Sequence, residues 1–138
     1  MLIREATIAD IPQIQYVRHA VKENVLSNPA LVTDADCEEY ITVRGKGWVC
    51  EVEGKITGFT IADLQGHNVW ALFVLPEYEG RGMGSRLHDV MLEWYFSKTS
   101  EPIWLSTDPG TRAETFYRKK GWKEAGMHGK EVRFEMKK

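Results

Sequence analysis

The segment "GRGMGSR", Gly80 to Arg86, concentrates the residue types that can hold an anion on bare main chain. Glycine loses more backbone freedom on folding than any other residue, so glycines at 80, 82 and 84 imply a use for exposed backbone. The apolar segment "VWALFVL" precedes them and a helical pattern follows. A helix N-terminus presents unpaired N–H groups and partial positive charge, which suits phosphate. Arg81 and Arg86 add charge nearby, so the loop reads as a pyrophosphate cradle. A Walker-type loop would need lysine before a hydroxyl residue, whereas Gly84 is followed by Ser85 and Arg86. A dinucleotide fingerprint would need glycine at Leu87 or Ser85, depending on the starting glycine. A plain strand-to-helix turn is the simpler alternative, but alternating glycines exceed what a turn needs.

The elements that must carry this loop can be read from periodicity. "LIREA" is β-leaning, and Thr7 with Asp10 forms a short capping signal. Ile11, Ile14, Val17, Val21 and Val25 then recur at helical spacing. Thr33 with Asp36 opens a second helix, to about Thr42. "GWVCEVEGK" turns at Glu53-Gly54 into "ITGFTIADL", and "NVWALFVL" follows with both faces apolar, as in a strand covered on two sides. Leu87, Val90, Met91, Trp94 and Tyr95 share a helical face after the glycines. "PIWLST" is a buried strand, "TRAETFYRKKG" a helix from about Thr111 stopped at Gly121, and the chain ends in a hairpin around His128-Gly129. The order is β-α-α-β-β-β-α-β-α-β-β: an α/β (α+β) fold with a mixed sheet covered by helices. Trp48, Trp70, Trp104 and Trp122 all fall in expected strands and are read as core first, acceptor pocket second.

The remaining composition narrows the class. With 138 residues, 43% hydrophobic and 28% charged, one globular domain over residues 1–138 is expected. Net charge is −2 and the longest basic run is Arg118-Lys119-Lys120, which gives nucleic acid or an anionic membrane no footprint. No segment approaches the roughly 18 apolar residues of a membrane span. The start of the sequence, "MLIREATIADI", has no signal-like apolar run, so a cytoplasmic protein is expected. Cys37 and Cys50 are read as small buried residues, with neither a disulfide framework nor a metal site.

"LFVLPEYEGRGMGSRLHDVML" resembles the acetyl-coenzyme A loop of the GNAT superfamily of N-acyltransferases, with Gly82 and Gly84 at its two small positions. Glu79 stands where that family usually has Gln or Arg. "GTRAETFYRKKGW" is similar to the family's Asn-x-x-Ala-x-x-Phe-Tyr-x-x-x-Gly-Phe segment, with Gly110 in place of Asn. The order of elements resembles the family over essentially the whole chain.

The resemblance implies a mostly antiparallel sheet of six or seven strands flanked by about four helices. It implies acetyl-CoA as co-substrate and direct transfer of the acetyl group to a primary amine of a small molecule or peptide. The pantetheine arm would pair with the main chain of Leu72, Phe73 and Val74. The pyrophosphate would sit on the N–H groups of Gly80, Arg81, Gly82, Met83, Gly84 and Ser85. Tyr117 falls at the general-acid position. The base is open among Glu51, Asp63, His67, Glu114 and Asp108, or water relayed to solvent with no dedicated base; Asp108 is preferred because "STDPG" ends a strand beside the expected cleft. In this family the acceptor wall would be Tyr16 to Asn28, with Tyr16, Arg18, His19, Glu23 and Asn24 as polar groups. A homodimer would suit the family's habits. The alternative is a CoA-binding sensor or interaction module without catalysis.

Overall fold

The computed structural model describes residues 1–21 and 32–138. Val25, Glu23 and Asn24 lie outside the described residues, so their expected places on a helix face and acceptor wall are not described. The elements are β1 (Leu2–Glu5), α1 (Ile11–Ala20), α2 (Asp34–Glu39), β2 (Gly45–Val52), β3 (Lys55–Asp63), β4 (Asn68–Val74), α3 (Met83–Lys98), β5 (Ile103–Thr107), α4 (Arg112–Lys119), β6 (Lys123–His128) and β7 (Glu131–Met136). Their order is the expected one. They form a seven-stranded sheet in the order β1-β2-β3-β4-β5-β7-β6. Every neighbouring pair is antiparallel except β4 and β5.

Local chemistry sets the boundaries. The Thr7 amide donates to Asp10 Oδ2 at 2.8 Å, which turns the chain into α1. Thr33 and Asp36 exchange reciprocal capping bonds of 2.9 and 3.1 Å at the start of α2. α1 ends at Ala20, and Val21 is already extended, so this member of the apolar repeat lies beyond the helix. α2 stops at Glu39 and the chain continues as a wider π-type turn over Tyr40–Arg44. That turn lays Tyr40 flat on Trp70 at 4.0 Å and delivers Gly45 so close to β3 that a Cβ would meet the Ala62 carbonyl. Trp122 lies just before β6 rather than within it.

The sheet has helices on both faces. Ile11, Ile14 and Val17 of α1 pack with Phe59, Ile61 and Ala71 on one face. On the other, Leu87 and Met91 of α3 pack with Trp48, Cys50 and Ala62, while Tyr95, Tyr117 and Trp122 pack with Leu105 and Phe134. Both cysteines are buried, as expected from the sequence. Among the described residues no helix is long and apolar enough to cross a membrane.

The α3–α4 layer contains a buried histidine. Trp122 Nε1 donates to His88 Nε2 at 2.9 Å, and His88 Nδ1 lies 2.9 Å from Asp89 Oδ1. Nε2 accepts, so His88 is neutral, and burial lowers its pKa despite Asp89. The unfolded chain therefore binds this proton more readily. Its contribution to stability is complete above the unfolded value of about 6.5 and is lost as pH falls below it. The melting temperature should fall between pH 7.5 and 5, and His88→Gln should flatten that dependence. Equal slopes for wild type and variant would contradict this account.

Candidate active site

β4 and β5 meet at one end and part at the other. Among the described residues their one registered pair is Asn68 opposite Trp104. The vertex is pinned from three sides. The Trp104 amide donates to the His67 carbonyl at 2.9 Å, and Trp104 Nε1 to the Gly66 carbonyl at 3.1 Å. Buried Asp63 accepts from the amides of Gln65 and Gly66 and pairs with Arg44 at 2.9 Å. Trp70 is the extra residue of a β-bulge, because Ala71 faces Ile61 while Val69 faces Ala62. The bulge bends β4 away from its parallel neighbour. Beyond it, Leu72, Phe73 and Val74 pair with β3 on one side and face the opening on the other.

A cavity of about 590 Å³ occupies the opening and is lined by Leu72, Phe73, Val74, Gly80, Gly82, Met83, Gly84, Ser85 and Tyr117, together with Glu79 and Arg112. The loop forms its floor. Gly80 and Gly82 take left-handed φ values of 78° and 83°, which a side chain would strain. Gly82 is the N-cap of α3, and the first intrahelical bond of the turn runs from the Arg86 amide to its carbonyl at 3.1 Å. The amides of Met83, Gly84 and Ser85 thus occupy the first turn, where helical geometry provides no acceptors. Arg81 is placed differently: its guanidinium lies 5.0 Å over the Tyr78 ring and does not line the cavity. Glu79 lies 3.5 Å from Arg112, so its charge is countered across the cleft mouth.

A smaller cavity of about 170 Å³ adjoins it between Val69–Phe73 and Leu105–Thr107, bordered also by Tyr117 and Glu131. Tyr117 is buried, with His88, Phe116, Trp122 and Phe134 around its ring. Burial pushes its hydroxyl well above the ordinary tyrosine pKa, so it stays protonated through the neutral range. Glu131 was not singled out in the sequence. Its Oε1 accepts from Ser106 Oγ at 2.9 Å. Only the β5–β7 pairing reveals it, since strand alternation puts Val132 and Phe134 in the core and Glu131 on the opposite face.

The other carboxylates considered from sequence lie elsewhere. Glu51 pairs with Arg4 at 2.8 Å, Asp63 holds the vertex, and Glu114 pairs with Arg118 and accepts from the Gly110 amide. His67 contacts the Tyr95 hydroxyl at 2.9 Å. Asp108 is half-buried in the turn before α4, where its carbonyl accepts from Thr111 Oγ1, and it does not line either cavity.

A split parallel pair over a glycine-rich helix start fits a coenzyme with a pyrophosphate and an amide-bearing arm. This is the architecture of a CoA-dependent acyltransferase. The model of the acetyltransferase (GNAT) domain matches residues 44–124, and the chain belongs to that family. No curated protein matches by sequence. Among solved structures, the chain is similar to a PaiA N-acetyltransferase from Thermoplasma acidophilum in complex with coenzyme A, with TM-score 0.87, 16% identity, and 99% of this chain and 98% of that one covered. It is also similar to a ribosomal-protein-alanine N-acetyltransferase from Brucella melitensis, with TM-score 0.79, 21% identity and both chains fully covered (100% each). Ard1 from Thermoplasma volcanium gives 0.76 at 19% identity, with 98% and 94% covered. At these identities the likeness is one of fold.

Gly84 allows a test of the cradle that leaves the fold intact. A Cβ there would lie 3.7 Å from Val74 Cγ2 and 4.0 Å from Phe116, ordinary contact distances. Gly84→Val should fold with a melting temperature near that of wild type, yet bind CoA at least about tenfold more weakly in calorimetry. Wild-type affinity in this variant would contradict the cradle.

Proposed function

We propose that this protein transfers the acetyl group of acetyl-CoA directly to a primary amine, with Tyr117 as general acid. The observation that carries this reading is the shared wall of the two cavities: Leu72, Phe73, Ala113 and Tyr117 line both, so one tyrosine borders both. Acetyl-CoA supplies the activated thioester. The main chain of Leu72, Phe73 and Val74 aligns the pantetheine arm, and the N–H groups of residues 80–85 hold the pyrophosphate. An amide of β4 near Val74 polarises the thioester carbonyl, a type of electrostatic stabilisation that is a large contribution in acyl transfer.

Tyr117 donates its proton to the departing sulfur. A thiol ionises near about 8.5 and a free tyrosine near about 10. Burial raises Tyr117 further, which keeps the proton available but lowers the drive to release it. The developing thiolate, in the same dry cleft, is raised in the same sense, which narrows the mismatch. On the acceptor side, Glu131 favours an ammonium and can take its proton. Asp108, just past the end of β5, is the competing carboxylate.

Tyr117→Phe should lower kcat by about 100-fold or more, within the range for a positioned general acid. In wild type, kcat should show no loss assignable to this tyrosine below about pH 10, because its raised pKa keeps it protonated there. A basic limb below pH 9 that vanishes in the Phe variant would contradict the assignment. Glu131→Gln should reduce kcat/KM for the amine more than Asp108→Asn does. The opposite ranking would return the role of base to Asp108. Tight CoA binding with no turnover of any amine would favour a sensor.

A further inference from the structure

The charges around the outer cavity are not those of the loop itself. Arg81 and Arg86, expected from the sequence to add charge to the cradle, are both exposed, and neither lines the cavity. Among the described residues that do line it, the one cation is Arg112 and the one carboxylate is Glu79. They come from opposite walls. Glu79 directly precedes Gly80 of the cradle, and Arg112 is the first residue of α4.

Two features set Arg112 apart from an ordinary surface arginine. The first is its place in the helix. A cation in the first turn opposes the helix macrodipole. α4 otherwise follows the rule, with Glu114 in its first turn and Arg118 and Lys119 in its last, and Arg112 breaks it. The second is the looseness of its pairing. Arg112 Nε lies 3.5 Å from Glu79 Oε2, beyond the usual hydrogen-bond range, whereas Arg4 with Asp10, Arg44 with Asp63 and Arg118 with Glu114 close to 2.8 or 2.9 Å. The Arg112 side chain is 68% exposed, so this contact is screened and can adjust without disturbing the core.

The position selects the ligand. Arg112 shares the outer cavity with Gly80, Gly82, Gly84 and Ser85 and does not line the inner one, so it belongs to the anion-binding end of the cleft and not to the acceptor. A guanidinium presents five donors in a planar fork that matches phosphate oxygens. Main-chain amides at a helix start offer only partial charge. A pyrophosphate seated on residues 80–85 beside Glu79 therefore calls for a full positive charge.

We propose that Arg112 is a phosphate ligand of the coenzyme, standing between Glu79 and the pyrophosphate and supplying from α4 the charge that the loop's own arginines do not. This deepens the acetyl-transfer reading and rests on its coenzyme. Glu79 holds Arg112 at the mouth and at the same time places a repelling charge beside the phosphates.

The test follows CoA and dephospho-CoA, which lacks the 3′-phosphate, by calorimetry, and pantetheine, which lacks every phosphate, by its displacement of CoA. Wild type is compared with Arg112→Gln, Arg112→Lys and Glu79→Gln. Arg112→Gln should weaken CoA and dephospho-CoA alike by about tenfold, the low end for a hydrogen bond to a charged group. The ratio of CoA to pantetheine affinity should fall by the same factor. Arg112→Lys should recover part of the loss, as a point charge without the fork. The salt dependence of CoA binding should be shallower in Arg112→Gln than in wild type. Glu79→Gln should bind CoA severalfold more tightly, because the amide keeps an acceptor for Arg112 Nε and removes the repelling charge. All three variants should melt near the wild-type temperature, since an exposed pair contributes little to stability. A loss confined to CoA would move Arg112 to the 3′-phosphate and overturn the assignment. An equal loss for pantetheine, or no loss at all, would also overturn it, while CoA binding by wild type left the transfer reading intact. Weakening by Glu79→Gln to the same extent as by Arg112→Gln would overturn it too, by showing that the pair only shapes the mouth. Failure of wild type to bind CoA would remove both readings.

Discussion

The separation of β4 from β5 is the constraint on which the rest of this molecule depends. A parallel pair normally continues its ladder, but here the single registered pair at Asn68 and Trp104 is followed by divergence. Unpaired main chain at depth is costly unless something else satisfies it. The fold tolerates the gap because its vertex is fastened: Asp63 ties the β3–β4 turn, and Trp104 is bonded to both His67 and Gly66. The Trp70 bulge sets the direction in which β4 leaves. In the proposed reading, a coenzyme arm with amide groups would supply what the missing strand neighbour would have supplied.

Because the opening lies within the sheet, it joins two otherwise separate layers. The glycine loop and Tyr117 belong to the α3–α4 side, whereas Glu131 belongs to the α1 side. In the proposed reaction, donor and acceptor would approach from opposite faces and meet at the split. Glu79, the departure from the family loop, is accommodated at the mouth. Arg112 lies against it, so the loop's anion-binding amides need not face an unbalanced carboxylate.

Much of this was legible in the sequence for identifiable reasons. The glycines at 80, 82 and 84 advertised bare main chain, and strict helical or strand periodicity marked the elements that carry them. Tyr117 was legible through the segment around it. Glu131 was not, because an acidic residue in a closing hairpin looks like any solvated strand residue until the β5–β7 register places it at the cleft. Asp108 drew notice for the converse reason: it ends the right strand, but the turn before α4 keeps it out of the cavity lining. Arg18 was noted only as one polar group on the acceptor wall. Its burial against the rings of Phe59, Trp70 and Phe73 comes from α1, β3 and β4 together, which no local pattern contains. The widened turn at Tyr40–Arg44 was equally hidden, since its reason is a long-range stack on Trp70.

The central claim is that main chain exposed by the split, together with the start of α3, is what holds the coenzyme. Amide hydrogen exchange of the full chain, with and without CoA, tests it residue by residue. Protection should rise at residues 72–74 and 80–85 and stay unchanged in β1 and at the distal end of the β6–β7 hairpin. Protection that leaves both segments untouched, or appears only outside them, would contradict the account.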